Sequence, residues 1–202
     1  MSEFANHSEE DKDMLREIGN IGSGNALTSL SIILKSPLTL GLPDCRVLKK
    51  ESAGQLLSDP GNMYAGAAIS VSGAVDCLLF LLLNREFTRK ILSNLDPDDA
   101  FDVMKLTEDQ KSALEEVVNI MGGSYMTAVG TLLGGEMTMT VPKVSVGRGE
   151  VILGKFLDEY MAGSRDFLFI KTPFTCGNKK LESYMLLCPT EKSLDDLIRR
   201  LC

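Results

Sequence analysis

Three polar side chains near the start of the chain are spaced so that one face of a helix would carry them together. Asp13, Glu17 and Asn20 stand at positions i, i+4 and i+7. On a helix that turns ~100° per residue they fall within an arc of roughly 60°.

The same spacing recurs 99 residues later in the chain, at Ser112, Glu116 and Asn119. In both copies a proline follows the asparagine after 22 intervening residues, Pro43 in the first and Pro142 in the second. Other positions keep both the residue type and the offset of 99: Leu15 and Leu114, Ile21 and Ile120, Gly24 and Gly123, Thr28 and Thr127, Leu34 and Leu133, Thr39 and Thr138. This self-similarity indicates an internal duplication.

A polar helix face is usually only a solvated surface, and for one copy taken alone that reading is favoured. The duplication changes the balance, because the glutamate and the asparagine are the same in both copies. Their neighbours are not, since Arg16 corresponds to Glu115 and Asn25 to Ser124. Asparagine is also a poor helix former, so its presence twice inside a helix suggests a use.

The two triads are predicted to lie on long helices and to face away from the core. The first helix is expected to begin near Ser8, a residue type that favours the N-cap, and the second to run from about Thr107 to Leu133. The apolar stripe of the first helix is centred ~140° from its triad. It consists of Met14, Leu15, Ile18, Ile21 and Gly22. The glycines predict a kink or close backbone packing near Gly22 and Gly24, and two helices with a break there fit the pattern as well as one.

The rest of the pattern indicates strands and shorter helices. Strands are predicted at 63–71 and 75–83, which form a hairpin, and near 138–146, 166–172 and 182–188. Shorter helices are predicted at 86–94 and 191–201, while 37–43 is a turn or short strand and 47–57 is ambiguous. The offset between the shorter helices exceeds 99, and the extra residues fit the hairpin loop at 174–180, where insertion costs little.

These elements predict an α+β fold. We expect an internally duplicated domain with pseudo-two-fold symmetry, in which one antiparallel sheet carries two long motif helices packed outside it. The two repeats span about 9–95 and 107–201 of a single domain, 1–202. The halves are expected to share the sheet, because each alone would bury little apolar surface.

Composition restricts the partners and the compartment. The formal net charge of −7 argues against nucleic acid and anionic membrane as partners. The longest apolar run, 77–83, is too short to cross a bilayer, so no membrane insertion is expected. The polar, acidic N-terminus does not resemble a signal peptide.

The cysteines and the histidine exclude several kinds of site. The five cysteines are odd in number and form no C-x-x-C pair, which favours a reducing cytoplasm and free thiols over disulfides or a zinc site. His7 is the only histidine and lies in a polar tail, so a Ser-His or Cys-His nucleophile pair is not expected.

The pattern Asp/Ser-x3-Glu-x2-Asn-x22-Pro, present twice, resembles the signature of the CheC family. The string E-I-G-N-I-G-S-G-N-A at 17–26 is similar to that family, and the resemblance covers nearly the whole chain. Members of the family are phosphatases of the chemotaxis response regulator CheY and are related to CheX and FliY. The family pattern accepts either Asp13 or Ser112 at its first position.

The resemblance implies a reaction and roles for the residues. The phosphoaspartate of CheY would be hydrolysed, with Asn20 and Asn119 orienting the water and Glu17 and Glu116 pairing with a lysine of the regulator. Asp13, Ser112, Pro43 and Pro142 would support the motifs. The resemblance places the Mg²⁺ on the regulator, gives this chain no cofactor of its own, and implies CheD, a receptor-modifying deamidase, as a second partner.

A non-enzymatic role on the same scaffold remains the alternative. The chain could be a CheD-binding regulator, or an adaptor of the flagellar-switch type like the middle domain of FliM. An adaptor has no need of the Glu/Asn pair, and this chain has the pair twice, which favours the enzyme.

Overall fold

The computed structural model describes residues 9–93, 106–160 and 166–189. The helices are α1 (Glu9–Ile33), α2 (Arg85–Leu92), α3 (Glu108–Leu133) and α4 (Gly149–Tyr160), with a short 3₁₀ helix at Lys50–Gln55. The strands are β1 (Thr39–Leu40), β2 (Asp44–Lys49), β3 (Met63–Gly73), β4 (Cys77–Asn84), β5 (Met137–Met139), β6 (Ser145–Arg148), β7 (Asp166–Cys176) and β8 (Lys179–Pro189). The expected N-cap at Ser8 and the expected helix at 191–201 lie outside the described residues.

The expected α+β fold with an antiparallel sheet is confirmed. Strands from both halves form an eight-stranded sheet in the order β1-β7-β8-β4-β3-β5, with β2 also on β7 and β6 also on β3. The central pair, β4 and β8, joins the two hairpins. The outer strands cross over: β1 and β2 of the first half pair with β7 of the second, and β5 and β6 pair with β3 of the first. Each half therefore pairs its outer strands with the hairpin of the other half. This reciprocal pairing relates the two halves by an approximate two-fold axis.

The pairing register shows where the second half is longer. Lys49 pairs with Asp166 and Arg148 pairs with Met63. Lys49 and Arg148 are 99 residues apart, whereas Met63 and Asp166 are 103 apart, so four residues have been added between β6 and β7. The expectation that the extra residues lie in the hairpin loop at 174–180 was therefore wrong for most of them.

The added residues belong to the segment of α4, a helix that the sequence pattern did not predict. Its apolar positions Ile152, Leu153 and Phe156 are buried, and the Phe156 ring stacks on Phe80 of β4 with centroids 4.0 Å apart. The first half has only the short 3₁₀ helix at the corresponding place. Because α4 and the 3₁₀ helix cover the face of the sheet opposite α1 and α3, β4 is buried on both faces and reads as a continuous apolar run.

The long helix α1 is continuous through its glycines, so the two-helix alternative was wrong. Gly22 is buried against α3, where a Cβ would overlap three ring atoms of Tyr125, the farthest of them 2.9 Å away. The Tyr125 hydroxyl forms a hydrogen bond with Thr172 of β7, so the ring is fixed at both ends. Close packing is thus confirmed at Gly22 and not at Gly24, around which there is open space.

Two glycine substitutions should therefore have opposite effects on stability. Gly22→Ala should lower the free energy of unfolding by about 1–2 kcal/mol, since overpacking costs more than the gain in helix propensity. Gly24→Ala is the matched control and should raise it by up to about 1 kcal/mol, because only the propensity changes. Urea unfolding of both variants measures the difference. A Gly22→Ala protein as stable as Gly24→Ala would contradict the described packing.

Candidate functional site

The two triads lie on the outer faces of α1 and α3. Asp13, Glu17, Asn20, Ser112, Glu116 and Asn119 are all exposed. The opposite faces of the same helices are buried, with Leu15, Ile18, Leu114 and Val117 at 1% exposure or less. The expected orientation of both triads is confirmed.

The start of α3 is fixed by a capping box one turn before Ser112. The Thr107 side chain accepts a hydrogen bond from the Gln110 amide N at 3.2 Å, and the Gln110 side chain accepts one from the Thr107 amide N at 3.0 Å. Both exchanges satisfy amides that have no partner inside a helix. At the other end Gly134 adopts φ 68°, the left-handed conformation that favours glycine, and terminates the helix. The two caps fix where α3 begins and ends. They thereby help to fix the direction in which Ser112, Glu116 and Asn119 point.

The first triad has a cationic neighbour. Arg16 Nη1 lies 2.7 Å from Asp13 Oδ1, and both side chains are more than half exposed. An exposed pair of this kind contributes little stability. The pair leaves Asp13 accompanied by a positive charge at the start of the triad.

The second triad has an anionic neighbour at the corresponding position. Glu115 Oε1 accepts a hydrogen bond from the amide N of Val144, 3.3 Å away in the segment before β6. Ser112 is neutral where the first triad has Asp13. The two faces therefore present the same glutamate and asparagine, but the charges of the neighbouring side chains differ.

The motif prolines lie in the segments that pass behind the helices. Pro43 Cβ is 3.4 Å from the position that a Cβ on Gly19 would occupy, and Cys45 Sγ is 2.5 Å from it. Residue 19 must be a glycine for β2 to approach α1 this closely. Pro142 is buried, whereas Pro43 is half-buried. The turn of α1 that carries Glu17 and Asn20 thus rests directly on the Pro43 segment.

Burial disfavours the reactive thiolate form of Cys45, the thiol next to the first triad. Burial raises the pKa of Cys45 to about 12, and the neighbouring Asp44 adds to the rise. Burial likewise raises the pKa of Cys77 to about 12 and raises that of Cys188. Cys77 and Cys188 belong to the cores on opposite faces of the sheet.

The expectation of no disulfides is confirmed for the four cysteines that the structure describes. Cys45, Cys77, Cys176 and Cys188 form no disulfide, and Cys202 lies outside the described residues. The described helices include none that is long and apolar enough to span a membrane. Within the same residues no three His, Cys, Asp or Glu side chains are grouped as metal ligands would be.

Thiol titration tests this reading of the cysteines. In denaturant without reductant all five should react with a disulfide reagent; fewer would contradict the absence of disulfides. In the native protein Cys45, Cys77 and Cys188 should react on the order of 10²-fold more slowly or less, because the thiolate is the reactive form and it is both scarce and covered.

Sequence reasoning placed the triad residues on the outer faces of both helices and did not predict the contacts that Arg16 and Glu115 make. The Asp13–Arg16 pair had a signal, since residues at i and i+3 face each other on a helix. The hydrogen bond from the Val144 amide to Glu115 joins two segments that are far apart in the chain. No local sequence pattern signals such a contact.

The comparisons with known proteins agree with this geometry. The model of the CheC-like family matches residues 10–36 and 110–146, which contain both motif helices. The chain is similar to the CheC-like family at both motifs. One relative, "CheY-P phosphatase CheC" from Bacillus subtilis (strain 168), is 26% identical over 205 residues, which cover 98% of this chain and 96% of that protein.

Two solved structures show the same fold. FliY from Thermotoga maritima matches with a TM-score of 0.72 and 24% identity, over 96% of this CheC-like chain and 94% of that one. The middle domain of FliM from H. pylori matches with a TM-score of 0.61 and 11% identity, over 96% of this chain and 99% of that one.

Proposed function

We propose that this CheC-like protein is a phosphatase that hydrolyses the phosphoaspartate of a CheY-type chemotaxis response regulator. The observation that carries the proposal is the pair of exposed Glu/Asn faces, Glu17 with Asn20 and Glu116 with Asn119, at equivalent turns of α1 and α3. The relationship over nearly its whole length to a protein named as a CheY-P phosphatase supports the choice of substrate.

The chemistry requires positioning more than acid or base strength. Hydrolysis of an acyl phosphate needs a water molecule in line with the phosphorus, and an amide can orient that water. Asn20 and Asn119 take this role, and Glu17 and Glu116 pair with the lysine beside the regulator's phosphoaspartate. The Mg²⁺ that neutralises the phosphoryl oxygens belongs to the regulator.

The absence of competing contacts at these four side chains, among the described residues, supports the proposal. With other described residues, Glu17, Asn20, Glu116 and Asn119 form no side-chain hydrogen bond or ion pair, so none has to be broken when a partner docks. Each pair also lies on a long helix that is packed against the sheet. Groups on such rigid elements hold their geometry better than groups on loops.

An adaptor without activity is the second candidate. The FliM middle domain has the same fold at 11% identity, so the fold by itself does not separate enzyme from adaptor. The Glu/Asn pairs favour the enzyme. In either case we propose a cytoplasmic protein with CheD as a further partner, and the acidic net charge of −7 disfavours nucleic acid and membrane as partners.

Removing the amides tests the enzymatic proposal. Asn20→Ala or Asn119→Ala should each reduce turnover at its own site on the order of 10²-fold and leave the activity of the other site. The double variant should lose nearly all activity. The decay rate of the phosphorylated regulator, measured with wild type and the three variants, gives the answer.

Asn25→Ala is the matched control, because Asn25 is an exposed asparagine of α1 outside the triad. It should leave the decay rate unchanged, and all variants should unfold within ~0.5 kcal/mol of wild type. A double variant as active as wild type would contradict the phosphatase proposal and favour the adaptor. If one single variant abolishes activity, the enzyme stands and the equivalence of the two sites does not.

A further inference from the structure

The two Glu/Asn faces differ in charge at one position beside the asparagine. Arg16 of α1 corresponds to Glu115 of α3 at the offset of 99 that relates the triads. Each stands four residues before the asparagine of its own face, and residues at i and i+4 are neighbours on a helix surface. On a helical wheel Arg16 lies ~40° from Asn20, on the side away from Glu17. The side chain at this position therefore borders the face.

The Arg16 side chain reaches back onto the face itself. Its Nη1 donates to Oδ1 of Asp13 at 2.7 Å. On the helical wheel Asp13 lies between Asn20 and Glu17, about one turn nearer the start of α1. The Arg16 side chain is 60% exposed. A partner surface that covers Glu17 and Asn20 would therefore have this guanidinium at its border.

The equivalent border of the second face is negative. Glu115 Oε1 accepts a hydrogen bond from the amide N of Val144 at 3.3 Å, which holds the carboxylate beside the face. Ser112 is neutral at the position where the first triad has a carboxylate. In the first face the charges at these two positions cancel each other. The second face consequently carries one more negative charge than the first.

An exposed lysine precedes the second triad but is already paired. Lys111 Nζ lies 2.7 Å from Glu108 Oε1, so the two side chains together add no net charge. The same residue types precede the first triad, at Lys12 and Glu9. This pair therefore does not explain or remove the difference in charge between the two faces.

The pocket that a Glu/Asn face would enter on a phosphorylated regulator is rich in negative charge. A phosphoryl group carries up to about two negative charges at neutral pH. Mg²⁺ in such a pocket is held by one or two carboxylates in addition to the phosphate oxygens. The docking glutamate, Glu17 or Glu116, adds one more negative charge, and the Mg²⁺ and one lysine of the regulator offset only part of the total. A cation at the border of the face would favour docking, and an anion would oppose it.

We propose that Arg16 is a recognition residue of the first site, which pairs with the anionic pocket around the phosphoaspartate, and that Glu115 weakens docking at the second site. This inference rests on the proposed function, because the partner is the substrate of the Glu/Asn pairs. The first site then binds the phosphorylated regulator more tightly than the second at low ionic strength. Because Arg16 supplies charge at the border and does not orient the water, it acts on binding more than on the chemical step.

The test uses protein with one working site, in about 20 mM salt, where screening is weak. In the Asn119→Ala background, Arg16→Gln should raise the KM for the phosphorylated regulator about threefold and Arg16→Glu about tenfold, with kcat within about twofold. In the Asn20→Ala background, Glu115→Gln should lower KM about threefold. In about 0.5 M salt all these differences should fall below about twofold, because salt screens exposed charges.

Matched variants separate charge at the face from other effects. Lys35→Gln removes one positive charge from an exposed lysine beyond the far end of α1, and Glu136→Gln removes one negative charge just after α3; neither should change KM. Arg16→Lys keeps the charge and should keep KM within about twofold. Arg16→Gln also leaves Asp13 without its ion pair, so it is repeated in an Asp13→Asn protein. It should raise KM there as well, whereas loss of the effect would show that Arg16 only holds Asp13.

A binding titration separates the failure of this inference from the failure of the proposed function. The regulator activated by beryllofluoride is titrated in low salt with wild type, with Asn20→Ala/Asn119→Ala and with Arg16→Glu. Wild type should bind in two steps whose Kd values differ about fivefold, and the asparagine double variant should keep both steps while it loses turnover. Arg16→Glu should weaken the tighter step about tenfold. If no protein shows turnover, the proposed function fails, and the titration still decides the role of Arg16.

Several results would overturn the inference. KM and Kd for Arg16→Gln that match those of Lys35→Gln would show that the regulator does not meet this cation. An effect of equal size in low and high salt would show that charge is not its cause. A fall in kcat with unchanged KM would place Arg16 in the reaction instead of in recognition. A regulator that binds to none of these proteins would overturn both the inference and the proposed function.

Discussion

The structure depends on the pairing of each half's outer strands with the hairpin of the other half. β1 and β2 are held by β7, and β5 and β6 are held by β3. The segments that support the motif helices are continuous with these outer strands, since Pro43 and Cys45 of the first half pack on α1. The position of each Glu/Asn face therefore depends on strands of the opposite half. Such long-range pairing costs loop-closure entropy, which the burial of both faces of the sheet offsets.

The internal duplication separates what packing requires from what the exposed faces require. Core positions differ between the halves: Gly22 corresponds to Met121, and Ala26 to Tyr125. The Tyr125 ring fills the space over Gly22 and reaches Thr172, so the helix pair is locked by a contact that has no symmetric partner. The exposed glutamate and asparagine are nevertheless identical in both halves. Packing explains these differences inside, whereas the exposed glutamate and asparagine are kept in both halves without being buried in the core.

The two faces share their reactive groups and differ in their electrostatic surroundings. The first has Arg16 beside Asp13, and the second has Glu115 turned to the Val144 amide beside the neutral Ser112. Exposed charges of this kind contribute little to stability, but they alter the approach of a charged partner and its dependence on salt. The two faces thus present the same glutamate and asparagine in unlike electrostatic surroundings.

The sequence by itself determined that both motifs lie on helices, the outward orientation of the triads and the duplication, because each depends on short-range periodicity or on a fixed offset. The apolar stripe that contains Leu15 and Ile18 is enough to turn Glu17 and Asn20 outward. Only the tertiary structure decided which strands pair across the halves, that Gly22 meets Tyr125 and Gly24 meets nothing, and that α4 covers the second face of the sheet. These features arise from contacts between residues far apart in the chain, and local patterns of residue type do not encode the partner in such contacts.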